Sequence, residues 1–534
     1  MLPFAAPVDD ILWSLEFAGA ARIPDWDGTL TAEITRHFAA FAQGRIAPLD
    51  EAGDRQGCRL HNGRVFMPDG FDAVFRDLAD DGWLGLTAPE EFGGQGMGAA
   101  VQAATSEIFS GACHSLQMVT GLVPGAIRLL MHFGSADQQA RFIPPLVSGD
   151  WLATMCLTEP GAGSDLSAIR TKAESTAQGW RVTGEKIFIS GGDQNLSGNI
   201  LHLVLARTGP DGTRDLGLFA CPAVLADGVR NAVSVTRIEE KMGLHASPTC
   251  QMAFDSAQGE LIGAPGQGLA AMFTLMNHAR LDVALQGVAH AARAHAVASA
   301  YAAGRVQGRG ADGQAVTLDQ HADVRRMIDE ADALALSARA LTHSALVALE
   351  TGNQALADFL TPVAKVCGSD AGTQAAELAV QVLGGYGYLH EYRVEQTYRD
   401  ARICAIYEGA NGIHAATLAT RGLSHGGGVQ ADAFAAWIGQ IADTLNGDIL
   451  HDALREWTDL RGVTASAPRD IAPLFMQVTI ALAELGFWLR VADDDATPVR
   501  ICALAKGRCS LLPGQIAHLA AQARIMVQLA GGGA

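Results

Sequence analysis

Positive charge is in short supply. Lys and Arg total 38 against 57 Asp and Glu, a formal net charge of −19 over 534 residues. An acidic surface argues against nucleic acid or an anionic membrane as the main partner, yet leaves room for a local basic pocket that takes a phosphorylated ligand. Aromatic residues are scarce at 6%, and charged residues make up only 18%. With Ala and Gly heavily used, that mixture favours closely packed helices over an all-β protein.

Other absences narrow the class. The nine cysteines are scattered, odd in number and include no CxxC. This excludes a disulfide scaffold or a Cys-based zinc site and fits a reducing compartment. The N-terminal MLPFAAPVDDILWSLEF carries acidic residues inside its apolar stretch and no basic leader, so a signal peptide is not expected. No run of eighteen apolar residues is free of charge, so no membrane span is expected. His290 and His295 do not share an i, i+4 helix face, so no metal is expected. The expectation is a soluble, cytoplasmic protein.

What is present is a large apolar fraction, 49%, enough for a large buried core, in a chain whose 534 residues suggest about three to four domains of ordinary size. After an N-terminal extension, 1–39, residues 40–150 read as helices. Phe71, Val74, Phe75 and Leu78 lie on one face of an example. Thr87–Gly98 is a turn-rich break. Over 151–262, RVTGEKIFIS, NILHLVLAR, LGLFACP and CQMAFD are short apolar runs between Gly, Asp and Pro, which predicts a β-rich domain. Residues 263–423 return to a helical period with a polar interruption at Arg305–Thr317. Ser424–Gly428 reads as a linker before a last helical region, 424–534.

Three motifs carry chemistry. Cys156–Asp165, CLTEPGAGSD, is a glycine loop with hydroxyls at Thr158 and Ser164, whose backbone N–H groups can approach a polar ligand. It lacks the strand–GxGxxG–helix context of a dinucleotide fingerprint. Gln381–Tyr388, QVLGGYGY, ends a helical run on a double glycine. Tyr398–His414 places one carboxylate, Glu408, after an apolar approach. A carboxylate held there has its pKa raised towards the range of a general base; the alternative is a solvated Glu at a helix start.

Taken together, in their order and spacing, these motifs resemble the acyl-CoA dehydrogenase family. The resemblance extends through GEKIFISGG (184–192), EEKMGLHASPTC (239–250) and MNHARLDVALQGV (276–288), and covers about residues 40–421. The extended N-terminus and extra C-terminal helices resemble a larger subgroup that includes the 3-(methylthio)propanoyl-CoA dehydrogenases. The resemblance implies a mainly α fold: a helical N-domain, a β-barrel-like middle domain, a four-helix bundle and an extra C-terminal helical region. It implies FAD held between domains and across the subunit interface of a homodimer.

Carried over by position, Met155, Leu157, Thr158, Gly163, Ser164, Phe188 and Ser190 line the flavin. Arg305 meets the FAD pyrophosphate from the neighbouring subunit, where a guanidinium suits phosphate by charge and geometry. Gln381 and Gly385 contact its adenosine half. Arg280 matches the Arg near the CoA end of the substrate, with Tyr407 and Gly409 also placed at the substrate. Glu408 matches the catalytic base. The implied reaction is α,β-desaturation of an acyl-CoA thioester, of 3-(methylthio)propanoyl or medium to long chain, with electrons passed to an electron-transfer flavoprotein. Two departures stand out. Ala410 replaces a Thr that usually follows Glu-Gly, and Gln307–Gly308 replaces the Thr-Phe pair after the interface Arg.

Rival readings remain. An acyl-CoA oxidase would differ in oxygen access. An alkylation-response relative would bind nucleic acid through its C-terminal region, but residues 426–534 hold eight Lys/Arg and eleven Asp/Glu, and a DNA-binding module should be basic. GLSHG at 422–426 fits an esterase motif without its strand-to-helix context.

Overall fold

The structure, a computed structural model, describes residues 3–210, 212–445 and 447–531. Contacts divide the chain into two units. One comprises Pro3–Ala6 with Thr35–Ala279, the other Pro7–Ile34 with Arg280–Ala534.

The first unit joins helices to a β-rich body. Helix Phe71–Asp80 buries Phe71, Val74, Phe75 and Leu78 on one face, as the spacing requires. The break after it contains one short turn, Glu90–Phe92, before helix Ala99–Thr120. One element differs from the all-helical expectation for this stretch. Arg59–His61 and Arg64–Phe66 form a hairpin, turned at Asn62–Gly63, both in left-handed backbone (φ 50° and 73°). Asn-Gly is the pair that such a two-residue turn favours.

All four predicted runs are strands, within Gly179–Ser190, Asn199–Arg207, Leu216–Pro222 and Thr249–Ile262. Asn199–Arg207 pairs with Leu216–Pro222, which pairs with Thr249–Ile262, then Gly179–Ser190, then Lys172–Thr176. A single parallel pair, Lys172 with Arg207, closes the ring. The sheet is therefore barrel-like, and Val182, Ile189, Val204, Phe219, Met252 and Phe254 fill it. Strand Trp151–Cys156 pairs parallel to Asn199–Arg207 and delivers the chain to the glycine loop.

The second unit is a helical bundle. Its close packing rests on small residues. A Cβ on Gly287 would stand 2.1 Å from the Gly368 carbonyl oxygen, and one on Gly372 would stand 2.6 Å from that of Gly287. Helices Gly268–Gly304 and Gln354–Leu383 therefore approach at backbone distance, and Arg280 of the first lies within electrostatic reach of Lys365 of the second. The polar interruption forms a small hairpin, Val306–Arg309 with Ala315–Thr317. Ser424–Gly428 is a short turn. After it, Trp457 and Phe434 pack with Phe359 of the bundle, the two Phe rings stacked at 4.8 Å.

Helix Pro468–Asp493 has the length and apolarity of a membrane span, as does the bent pair Ala99–Thr120 with Val123–Phe133. A charge-free run does not flag the former because Glu484 interrupts it. In the structure most of its apolar window is buried. Glu484 accepts a hydrogen bond from Ser337 (2.8 Å) and faces Arg508.

Candidate active site

The Glu408 loop is built from backbone that few residues tolerate. Glu408 and Gly409 are both left-handed, φ 53° and 95°. Glycine is required at 409, since a Cβ there would lie 2.9 Å from the His414 ring nitrogen. A left-handed Glu persists only where its surroundings over-determine it. Here the two carbonyls are held from outside the turn. Nε2 of His414 donates to the Glu408 carbonyl (3.0 Å), and Nζ of Lys365 donates to that of Gly409 (2.8 Å). Lys365 also donates to Oδ1 of Asn411 (2.9 Å), whose amide nitrogen donates to Asp370 (2.8 Å) and Ser369 (3.0 Å).

Oε2 of Glu408 is sealed from solvent with no hydrogen-bond partner among the described residues. Burial pushes its pKa up to about 7; Arg280 and Lys365 pull against that shift, and Asp282 adds to it. Arg280 is itself held below its usual value by burial, offset in part by Glu408. The Tyr407 hydroxyl donates to Gln286, whose amide reaches Asp282 (3.2 Å). The structure thus brings Glu408, Arg280, Tyr407 and Gly409 to one place. Against the solvated-Glu alternative, Glu408 is half-buried with one carboxyl oxygen, Oε2, sealed, a property that burial confers and spacing does not reveal.

The glycine loop lies in the other unit. Leaving Trp151–Cys156, the chain is pinned at once: the Leu157 carbonyl accepts from Nζ of Lys186 (3.0 Å) and the Thr158 carbonyl from the N–H of Ile187 (2.9 Å). Glu159 takes Lys186 (2.8 Å) and the N–H groups of Arg170 (2.6 Å) and Thr171 (3.0 Å). Burial pushes the Glu159 pKa up, but Lys186 and these hydrogen bonds outweigh it and hold it below the usual range. Beyond Lys186 the strand pairing shifts register before Ile189. Phe188 adopts φ 60° there and stands 61% exposed.

Leu157 is buried, Met155, Thr158 and Ser190 are half-buried, and Gly163 and Ser164 are exposed. No atom lies within 4 Å of where a Cβ would stand on Gly161 or Gly163. Open backbone, two hydroxyls and an outward aromatic ring fit a flat heteroaromatic group with a polar tail, as an isoalloxazine is.

Helix Gln354–Leu383 ends on Gly384 (φ 61°), whose N–H reaches the Gln381 and Val380 carbonyls. Beside this cap, Tyr301, Arg305, Gln307, Gly385 and Tyr386 line a cleft of about 450 Å³. The Arg305 guanidinium lies 5.7 Å from the Tyr386 ring centroid. Arg305 and Gly385 therefore share a cleft that can take a phosphate and a planar base, and Gln307 occupies part of its wall. Gln381 is exposed nearby and does not line the cleft. Ala410 precedes helix Asn411–Thr417 without a side-chain cap. Among the described residues no cluster of His, Cys, Asp and Glu could hold a metal ion.

Sequence reasoning missed two lysines. Lys186 occupies an inward position of a strand, and Lys365 is the single cation of a thirty-residue helix. An isolated Lys inside an apolar pattern is the signal that could have found both.

Residues 31–150, 154–257 and 266–423 match the N-terminal, middle and C-terminal domains of acyl-CoA dehydrogenase. The chain is 40% identical over 467 residues to the 3-methylmercaptopropionyl-CoA dehydrogenase of Ruegeria pomeroyi, covering 82% of this chain and 79% of that one. It is 33% identical to a broad-specificity linear acyl-CoA dehydrogenase of Mycobacterium tuberculosis, over 89% and 84% of the two chains. In fold it is similar to a Bacillus anthracis acyl-CoA dehydrogenase complexed with FAD, with TM-score 0.78 at 21% identity over 96% of this chain and 91% of that one.

Proposed function

Since the chain belongs to the acyl-CoA dehydrogenase family, we propose that it desaturates an acyl-CoA thioester between Cα and Cβ with Glu408 as the base. Members of the family are FAD-dependent oxidoreductases acting on CH–CH bonds, and so is this protein. The observation that carries the assignment of the base is the sealed Oε2 of Glu408, without a hydrogen-bond partner among the described residues, where burial pushes the pKa up to about 7.

Bound FAD supplies the hydride acceptor for the β hydrogen. The rest is work for the chain's own groups. Glu408 removes the α proton at Oε2, where exclusion of water brings its basicity nearer to that of a weak carbon acid. By the family resemblance, the Glu408 backbone N–H would polarise the thioester oxygen. Gly409 keeps the turn that presents both groups, and the Tyr407–Gln286–Asp282 hydrogen bonds fix the wall beside them. Arg280 supplies positive charge near Glu408 on the substrate side. The cradle of Met155, Leu157, Thr158, Gly163, Ser164, Phe188 and Ser190 holds the isoalloxazine, and Arg305, Gln381 and Gly385 serve the pyrophosphate and adenosine of FAD in a homodimer.

The 40% identical relative makes a short thioether acyl group, 3-(methylthio)propanoyl-CoA, the first substrate to test. The second relative, broad in specificity for linear acyl-CoA, makes linear chains the next to test, medium and long ones included. Electrons pass to an electron-transfer flavoprotein; peroxide formed with oxygen alone would favour an oxidase instead.

Anaerobic flavin bleaching with butyryl-, octanoyl-, palmitoyl- and 3-(methylthio)propanoyl-CoA tests the reaction and ranks the substrates. Glu408→Gln should retain FAD and acyl-CoA binding and lose a factor of about 10²–10⁴ in bleaching rate. Near wild-type bleaching in that variant would put the base elsewhere.

A further inference from the structure

We propose that Lys365 is a positioning residue for the reaction, fixing the Glu408 turn through its carbonyls and setting the proton affinity of the base through its charge. The proposal rests on Glu408 being the base.

A lysine with no exposed surface is rare unless its ammonium is well partnered. Its hydrogen-bonding partners here are unusual. Both acceptors are neutral: the Gly409 carbonyl at 2.8 Å and the Asn411 amide oxygen at 2.9 Å. Asn411 cannot turn its amide around, because its nitrogen is committed to Asp370 (2.8 Å) and Ser369 (3.0 Å). Lys365 therefore closes a chain, Asp370–Asn411–Lys365–Gly409, that ends one peptide after the base. With the His414 contact to the Glu408 carbonyl, it leaves the left-handed Glu408–Gly409 pair little freedom to relax. A residue fixed in this way presents its carboxyl and its N–H in a single geometry.

The second role is electrostatic. Among the described residues no carboxylate hydrogen-bonds the Lys365 ammonium, so its field is not cancelled at contact distance. It lowers the proton affinity of Glu408 against the effect of burial. The other groups facing this turn are Arg280 and Asp282 from helix Gly268–Gly304, Asp370 beside Lys365, and Cys404, Tyr407 and His414 on the site's own segment. Arg280 acts in the same sense as Lys365, and Asp282 in the opposite sense. Burial holds the Lys365 pKa down at about 8, so the ammonium form is still the major one where Glu408 titrates.

The test uses the FAD-loaded holoenzyme and the most active acyl-CoA of the four-member panel. Lys365→Met and Lys365→Gln are compared with wild type and with Glu408→Gln by pH-resolved stopped-flow bleaching. Lys365→Met should lower kcat at least tenfold with KM changed less than threefold. Its acid limb in kcat/KM should move to higher pH by half a unit or more, because removal of a nearby positive charge raises the pKa of an acid. Lys365→Gln, which keeps a donor without the charge, should regain part of kcat and keep the shifted limb.

A folded, FAD-loaded Lys365→Met with wild-type kcat and an unmoved limb would overturn the proposal. So would failure of both lysine variants to fold, since Lys365 would then serve the core. If Glu408→Gln remains active, the base assignment fails instead, and the two failures are distinguished.

Discussion

Two loops, one in each unit, use the same device with different electrical consequences. Lys186 and Lys365 have no exposed surface, and each donates to a carbonyl of a loop assigned to chemistry, Leu157 in one case and Gly409 in the other. Each loop has a non-glycine residue in left-handed backbone nearby, Phe188 and Glu408. Lys186 meets the Glu159 carboxylate at 2.8 Å, and the pair cancels at contact distance. Among the described residues Lys365 hydrogen-bonds only neutral oxygens, so its charge is felt at Glu408. The cancelled pair suits a loop proposed to hold an electroneutral ring, and the uncancelled charge suits one proposed to tune an acid. A buried lysine can thus be scaffold or instrument, and its nearest acceptor decides which.

The largest effect that would break this comparison is on stability. Lys186→Met leaves the Glu159 carboxylate buried without its cation, and breaking a buried pair from one side costs about 3–5 kcal/mol. The double variant Lys186→Met, Glu159→Gln should recover at least half of that loss in urea unfolding. Lys365→Met strands only a carbonyl and an amide oxygen, for about 1–3 kcal/mol. Equal losses from the two lysine variants would erase the distinction between them.

The next effect sharpens the electrical half of the comparison. With Glu408 as the proposed base, activity requires its ionised form, and burial pushes its pKa up to about 7. Below that pH the ionised fraction falls, so kcat/KM should drop tenfold per pH unit, and above it the rate should level off. Measurement of flavin bleaching from pH 5 to 9 would locate the limb. A limb near the ordinary carboxylate value would mean that water reaches Oε2.

Much of this architecture is legible in the sequence. The runs 181–190, 199–207, 216–222 and 250–255 are strands because β-branched and aromatic residues between turn formers fit a pleated surface. The motifs around Glu408 and the glycine loop could be placed because their residues are adjacent in the chain. What escaped depends on residues far apart: Lys186 meets Glu159 across 27 positions, and Lys365 meets Gly409 across 44. The apolar pattern around each lysine can mark it as buried, but its acceptor is fixed only when a barrel or a pair of glycine-packed helices closes over it. The hairpin at 59–66 escaped for another reason. Its strands are three residues each, too short for alternation to register, and only Asn62–Gly63 announces the turn.

The smallest predicted effect concerns strain, the feature the two loops share. A left-handed conformation costs a residue with a Cβ about 1–2 kcal/mol, part of which glycine recovers after its own entropy loss. Phe188 sits at φ 60° with 61% of its surface exposed, so its ring contributes little to the core and its removal opens no cavity. Phe188→Gly should therefore stabilise the protein against urea by about 0.5–1 kcal/mol. The same variant should bind FAD more weakly in a fluorescence titration, because the ring assigned to the flavin is gone. Stability and cofactor affinity moving in opposite directions would identify the strained aromatic as kept for the ligand. If both fell together, Phe188 would be packing against protein instead, and the strain at the glycine loop would differ in purpose from the strain at Glu408.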